Sequence, residues 1–269
     1  MNKKIRILLS VVIVCLSALI MAVSNNKIIV ANAFQNEKSL QTNLRNVHLK
    51  EYFSGWIIAD CVNIRKKPTV DAKVIGQLYF NEKILFINEN RNWIKILYEE
   101  EITGYINRKY VSKNKPKYQT YNVPYTNGKK TFMPYKVHKN GKYVSIFSVL
   151  SKQYKLQQYC HSGEYGIRQY KNRFCVAIGS AFGVEIGQYF DLCLENGEII
   201  NCIMADQKAD VHTDSLNIAT LQNGCMSEFV VDNEKLNSNA KRMGDISYCT
   251  DLWKSRVVKV KVYKKFVEL

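Results

Sequence analysis

The residues best equipped for chemistry gather in one short run, Asp206-Gln207-Lys208-Ala209-Asp210-Val211-His212-Thr213-Asp214, with Glu228 and Cys225 further on. A carboxylic acid whose pKa is raised by partial burial can act as a general acid. Asp206 is the first carboxylate of the run, and Glu228 is a further one. Asp210, His212 and Asp214 alternate carboxylate, imidazole and carboxylate, and are read as ligand-binding residues. Their spacing matches no metal motif, so neither a metal nor a cofactor is expected. Cys225 is a rival nucleophile, because a thiol with a base such as His212 beside it becomes a thiolate. The plainer alternatives stay open: Asp206 as a loop-start aspartate bonding its own backbone, and the rest as a solvated loop.

These residues need strands to hold them. Asn196-Gly197 between two apolar arms predicts a two-residue type I′ hairpin over Tyr189–Leu194 and Glu198–Ala205. That turn places Leu194 opposite Ile199 and Phe190 opposite Ile203. Phe190, Leu192, Leu194, Ile199, Ile203 and Ala205 then share a face, and Asp191, Cys193, Ile200, Cys202, Met204 and Asp206 share the other. Asp206 therefore leaves the hairpin on the mixed, more accessible face. Further strands are expected over Tyr165–Arg168, Phe174–Ile178, Ser227–Val231 and Ser255–Phe266, and a short helix over 234–243 capped by Asp232. Six or so strands and no long helix imply an all-β fold with a small barrel.

The first half reads as a separate unit of short strands: Gly55–Ala59, Val62–Arg65, Lys73–Leu78, Lys83–Glu89, Trp93–Tyr98 and Thr103–Ile106. Ahead of it, Lys3, Lys4 and Arg6 precede an apolar run from Ile7 to Val23, and Ala31-Asn32-Ala33 fits a signal-peptidase site. Residues 1–33 are thus expected to be a signal peptide or a membrane-anchor helix. The protein is expected outside the cell, secreted or N-terminally anchored, touching the membrane only through that segment. Residues 34–53 read as a spacer. The net charge of +16 is uneven: Ile102 to Ser162 carries twelve Lys or Arg and no acid, whereas Gly163 to Leu269 has thirteen basic and fourteen acidic residues. Export excludes nucleic acid as the partner of this excess and leaves anionic wall polymers or lipid headgroups, with simple solvation of a flexible segment as the alternative. The Lys- and Pro-rich stretch 114–142 reads as a basic linker. No CxxC pair occurs among the cysteines, which are read mostly as small buried apolar residues.

Two resemblances sharpen this. Val62-Asn63-Ile64-Arg65-Lys66-Lys67-Pro68-Thr69, Gly76, Trp93-Ile94-Lys95-Ile96 and Gly104-Tyr105-Ile106 with Tyr110-Val111 resemble a bacterial SH3 (SH3b) domain. The resemblance covers 54–113 and implies a small barrel that binds peptidoglycan, through glycan or peptide stems. Trp93 and Tyr105 are its aromatic ligand-binding candidates, with core packing as the alternative. Phe174-Cys175-Val176-Ala177-Ile178-Gly179, Glu185–Leu192, Ile203-Met204-Ala205-Asp206 and Asn223–Phe229 resemble the 3D domain of wall-lytic and expansin-like proteins. That resemblance implies a six-stranded double-psi β-barrel over 143–269, with Asp206 as the acid/base of a lytic transglycosylase, protonating a leaving glycosidic oxygen, and Glu228 as the second carboxylate, to orient Asp206 or to bind sugar. Gly179, Gln207-Lys208 and Glu228 depart from the family pattern, which keeps a non-catalytic, expansin-like binding module open. Asn223-Gly224-Cys225 resembles part of the L,D-transpeptidase motif, which implies a cysteine acyl-transferase, but the motif's histidine and arginine are absent.

Overall fold

The computed structural model describes residues 20–24, 27–31, 50–88, 90–98, 102–124 and 126–269. It divides into two compact units, 1–116 and 117–269, each dominated by β-strands. The apolar run 7–19, the core of the expected signal or anchor, lies outside the described residues. The described parts of 1–33 are strands β1 (Ile20–Ser24) and β2 (Lys27–Ala31), and the end of the expected spacer enters β3 (Lys50–Ile57). Among the described residues no helix is long and apolar enough to cross a membrane.

The first unit continues with β4 (Cys61–Arg65), β5 (Val74–Tyr79), β6 (Lys83–Asn88), β7 (Trp93–Tyr98), β8 (Ile102–Asn107) and β9 (Val111–Ser112). They pair in the order β1-β2-β3-β6-β7-β8-β4-β5, with β9 on β3. The alternation in Trp93–Tyr98 sends Ile94 and Ile96 inward. There they pack with Ile57, Val62, Ile64, Ile84, Phe86 and Ile106. Gly104 is required by this packing, because a Cβ there would collide with the Ile64 side chain.

The second unit begins where a linker was expected. β10 (Tyr118–Asn122), β11 (Lys130–Pro134) and the hairpin strands β12 (Lys136–Lys139) and β13 (Lys142–Ser145) occupy that stretch. β10 pairs with the last strand of the chain, Tyr118 opposite Tyr263, and β11 runs parallel to Ser227–Val231. The basic composition concealed this because Lys130 is a core residue rather than a solvating one. It is 1% exposed, and its ammonium donates to the carbonyls of Gly128 (3.0 Å), Trp253 (2.7 Å) and Ser255 (2.9 Å). Burial pulls its pKa down to about 8.

The remaining elements are α1 (Lys152–Tyr159), β14 (His161–Ser162), β15 (Arg168–Tyr170), β16 (Arg173–Ile178), β17 (Gln188–Leu194), β18 (Ile199–Gln207), β19 (Ser227–Val231), α2 (Ser238–Met243) and β20 (Val257–Phe266). Ser151 caps α1 by accepting from Tyr154 N–H at 3.1 Å. Asn237 caps α2, which is shorter than expected, so Asp232 is not its cap. The sheet runs β10-β20-β17-β18-β16-β15-β14, with β19 on β16 and β11 on β19. Two pairs are parallel, β16 with β18 and β11 with β19; the rest are antiparallel.

The β17–β18 hairpin differs from its expected form by one residue. Cys193 faces Ile199 and Phe190 faces Cys202, so the loop has three residues, Glu195-Asn196-Gly197. Only Gly197 adopts positive φ (90°), as in a type I turn followed by a left-handed residue. The extra loop residue turns β18 over relative to β17. Phe190, Leu192 and Leu194 now share the core with Ile200, Cys202 and Met204, alongside Val176, Phe229, Trp253 and Val260. The opposite face carries an ion pair, Arg173 to Asp191 at 2.9 Å, buried at both ends. Tyr263 Oη donates to Asp191 Oδ2 at 2.6 Å, and the guanidinium lies 4.6 Å from the Tyr189 ring centre.

Candidate functional site

Asp206 reaches the site through an irregularity. β16 and β18 run in step from Phe174–Cys202 to Val176–Met204, then the register shifts so that Ala177 pairs with Asp206. On its other side Ala177 pairs with Glu228 of β19. Residues directly opposite one another project from the same face of a sheet. Asp206 and Glu228 therefore flank the small, fully buried Ala177, roughly 9–10 Å apart at Cα, two strand spacings. Ala177 itself is covered and does not line the cleft that the two carboxylates share.

Asp206 and Glu228 both line a cleft of about 540 Å³, together with Thr131, Lys208, His212 and Asn223. Gln153 of α1 donates to Asp206 Oδ1 at 3.1 Å, so the helix fixes one carboxylate oxygen. Lys208 is buried, donates to Thr220 Oγ1 at 2.8 Å, and brings its ammonium within 3.9 Å of Glu228 Oε2. The cleft thus offers two carboxylates, an ammonium, an imidazole and side-chain amide and hydroxyl groups. This mixture suits a polyhydroxylated or peptide ligand better than an apolar one.

The run after Asp206 splits. His212 lines the cleft and is exposed. Asp210 does not line it; its Oδ1 accepts from Ser180 Oγ at 2.7 Å. Asp214 holds its own loop, accepting from the amides of Leu216 (3.2 Å), Ile218 (2.9 Å) and Ala219 (3.3 Å). Among the described residues no three His, Cys, Asp or Glu side chains converge to hold a metal. Cys225 is fully buried, with Sγ 3.0 Å from the Lys129 carbonyl and 2.9 Å from that of Ser227. A substrate carbonyl has no access to that sulfur, which counts against the acyl-transfer reading.

Trp93 and Tyr105 belong to the first unit. They lie on the face of β7 and β8 opposite to the isoleucine core, half-buried, and neither packs against that core. Lys95, directly opposite Tyr105, brings its ammonium 5.8 Å from that ring's centre.

Gln153 and Thr131 are the site residues that sequence reasoning missed. Ser151, three residues before Tyr154, was a usable helix-start signal for Gln153. Thr131 stood in a Lys- and Pro-rich stretch whose pairing partner is distant in sequence. A family model described as Bacterial SH3 domain matches residues 60–112, within the first unit. No curated protein and no solved structure matches the chain.

Proposed function

We propose that this is a cell-wall-associated protein that binds peptidoglycan through its SH3 domain and presents wall glycan to the Asp206 cleft. Bacterial SH3 domains commonly bind peptidoglycan, and the match over 60–112 supports that half of the reading. Trp93, Tyr105 and Lys95 form the contact surface of this domain. The half concerning the cleft is carried by one observation: Asp206 and Glu228 flank Ala177 on one face, in a polar cleft.

Two parallel strand pairs within an otherwise antiparallel sheet support a double-psi barrel built from β11 and β16 to β20. In this reading the cleft is a glycan site that binds, with Gln153 holding Asp206 and Lys208 holding Glu228. The titration test is binding of soluble peptidoglycan oligosaccharides followed by amide chemical shifts. Asp206→Asn together with Glu228→Gln weakens binding about tenfold, with shifts centred on Thr131, His212 and Asn223. Unchanged affinity in the double variant removes the cleft from the proposal.

A lytic reading is favoured by Asp206 lining a polar cleft with one carboxylate oxygen held by Gln153. There Asp206 protonates the leaving glycosidic oxygen while a hydroxyl of the same sugar attacks the anomeric carbon, and the resulting Asp206 carboxylate takes up the proton that this hydroxyl loses. It predicts anhydro-muropeptide release from purified sacculi by the wild type and none by Asp206→Asn. Equal release by both, or by neither, leaves only the binding role.

A further inference from the structure

The fold brings the thiols of Cys160 and Cys175 into contact. Cys160 follows the last residue of α1, and Cys175 lies in β16. Their sulfurs are 3.4 Å apart. Cys160 is partly exposed and Cys175 fully buried. The chain between them is pinned by Arg168 of β15. Its guanidinium donates to the carbonyls of Cys160 (2.7 Å) and Gln157 (3.0 Å) and to Gln157 Oε1 (3.0 Å). A disulfide has sulfurs about 2.05 Å apart, so closure asks the pair to approach by only about 1.4 Å.

We propose that Cys160 and Cys175 are a disulfide site, oxidised by a disulfide-bearing reagent or oxidoreductase and cross-linking α1 to β16. The reaction balances as two thiol–disulfide exchanges. Cys160, the accessible sulfur, loses its proton to solvent and attacks a sulfur of the oxidant, forming a mixed disulfide and expelling the first oxidant thiolate. Cys175 then loses its proton and attacks Cys160 Sγ, expelling the second. The oxidant gains the two electrons that the pair gives up. Burial and the neighbouring sulfur push the Cys175 thiol well up, while Gln157 and Arg168 beside it pull the other way. Access thus makes Cys160 the first to react.

Three buried thiols are placed differently. Cys202 faces the core, whereas Cys193, opposite Ile199, sits on the other face of the hairpin. Cys225 points at main-chain carbonyls. The cross-link joins two elements that set the cleft: α1 carries Gln153, which holds Asp206, and β16 carries Ala177, between Asp206 and Glu228. It does not depend on what the cleft binds.

The test uses the full chain equilibrated with glutathione disulfide, alkylated without reduction, digested and mapped by mass spectrometry. The expected product is a peptide joining Cys160 to Cys175, lighter by two hydrogens than the two thiol peptides combined. Adding dithiothreitol lowers the melting temperature by about 5–10 °C, as opening a loop of this length predicts. Cys160→Ser, at the partly exposed end, folds and loses that shift. Two results overturn the proposal. One is both cysteines alkylated, or either paired elsewhere, after oxidation. The other is a dithiothreitol shift in Cys160→Ser equal to that of the wild type.

Discussion

Arg173 and Asp191 show how costly single groups are inside the second unit. Each is 2% exposed, and the pair is completed by Tyr263 and by the carbonyls of Phe190 and Cys202, each 3.0 Å from Arg173 Nη1. Removing one charge strands the other in a medium that does not solvate it. Asp191→Asn therefore lowers unfolding stability by about 3–5 kcal/mol, read from urea denaturation. A loss below about 1 kcal/mol means that water reaches the pair. None of this was legible beforehand, since Asp191 looked like an accessible residue beside Asp206. Asp206 itself was legible as the residue to follow, because it ends a recognisable strand before a polar loop. Asp210 and Asp214 were not separable from it, because a side chain bonding its own loop has the same composition as one facing a ligand.

At the scale of elements, the β17–β18 hairpin turns on one residue. Asn-Gly between apolar arms announced the hairpin and both strands, but a two-residue and a three-residue loop share that signal. Only packing decides, and burying Ile200, Cys202 and Met204 with Phe190 and Leu192 selects the longer loop. Gly197, at φ 90°, is the residue this loop requires. Gly197→Ala costs about 1 kcal/mol in thermal unfolding, because an L side chain is strained there. In a two-residue type I′ turn, Asn196 would share the positive φ; here the penalty is confined to position 197, and Asn196→Ala is expected to be milder. β10 and β11 were illegible for another reason. Their partners, β20 and β19, lie about 140 and about 100 residues later, and local composition carries no trace of such pairing.

For the molecule as a whole, alkaline pH is the informative variable. Burial pushes the thiols of Cys175 and Cys202 well above the ordinary 9.0 and that of Cys249 up to about 12, and raises the Tyr263 phenol above 10.0. These groups hold their protons more tightly folded than unfolded. Their contribution is fully present below about pH 9 and is lost as pH rises through the folded values. Lys130 acts oppositely. Its pKa falls from 10.5 to about 8, so its contribution improves between those values. Several groups oppose one lysine, so in the presence of reductant the urea midpoint falls from pH 9 to pH 11. A flat or rising midpoint contradicts the burial of these thiols. The first unit was the more legible half, since its strands are short, sequential and marked by Trp93, Gly104 and Tyr105 at set spacings.

Peptidoglycan binding is measured by cosedimentation with purified sacculi stripped of wall phosphate polymers. The wild type is predicted to pellet with the sacculi, and Trp93→Ala with Tyr105→Ala to shift most of the protein to the supernatant, with its melting temperature little changed. Wild-type protein that stays in the supernatant at every sacculus concentration does not bind peptidoglycan, and the proposed function fails.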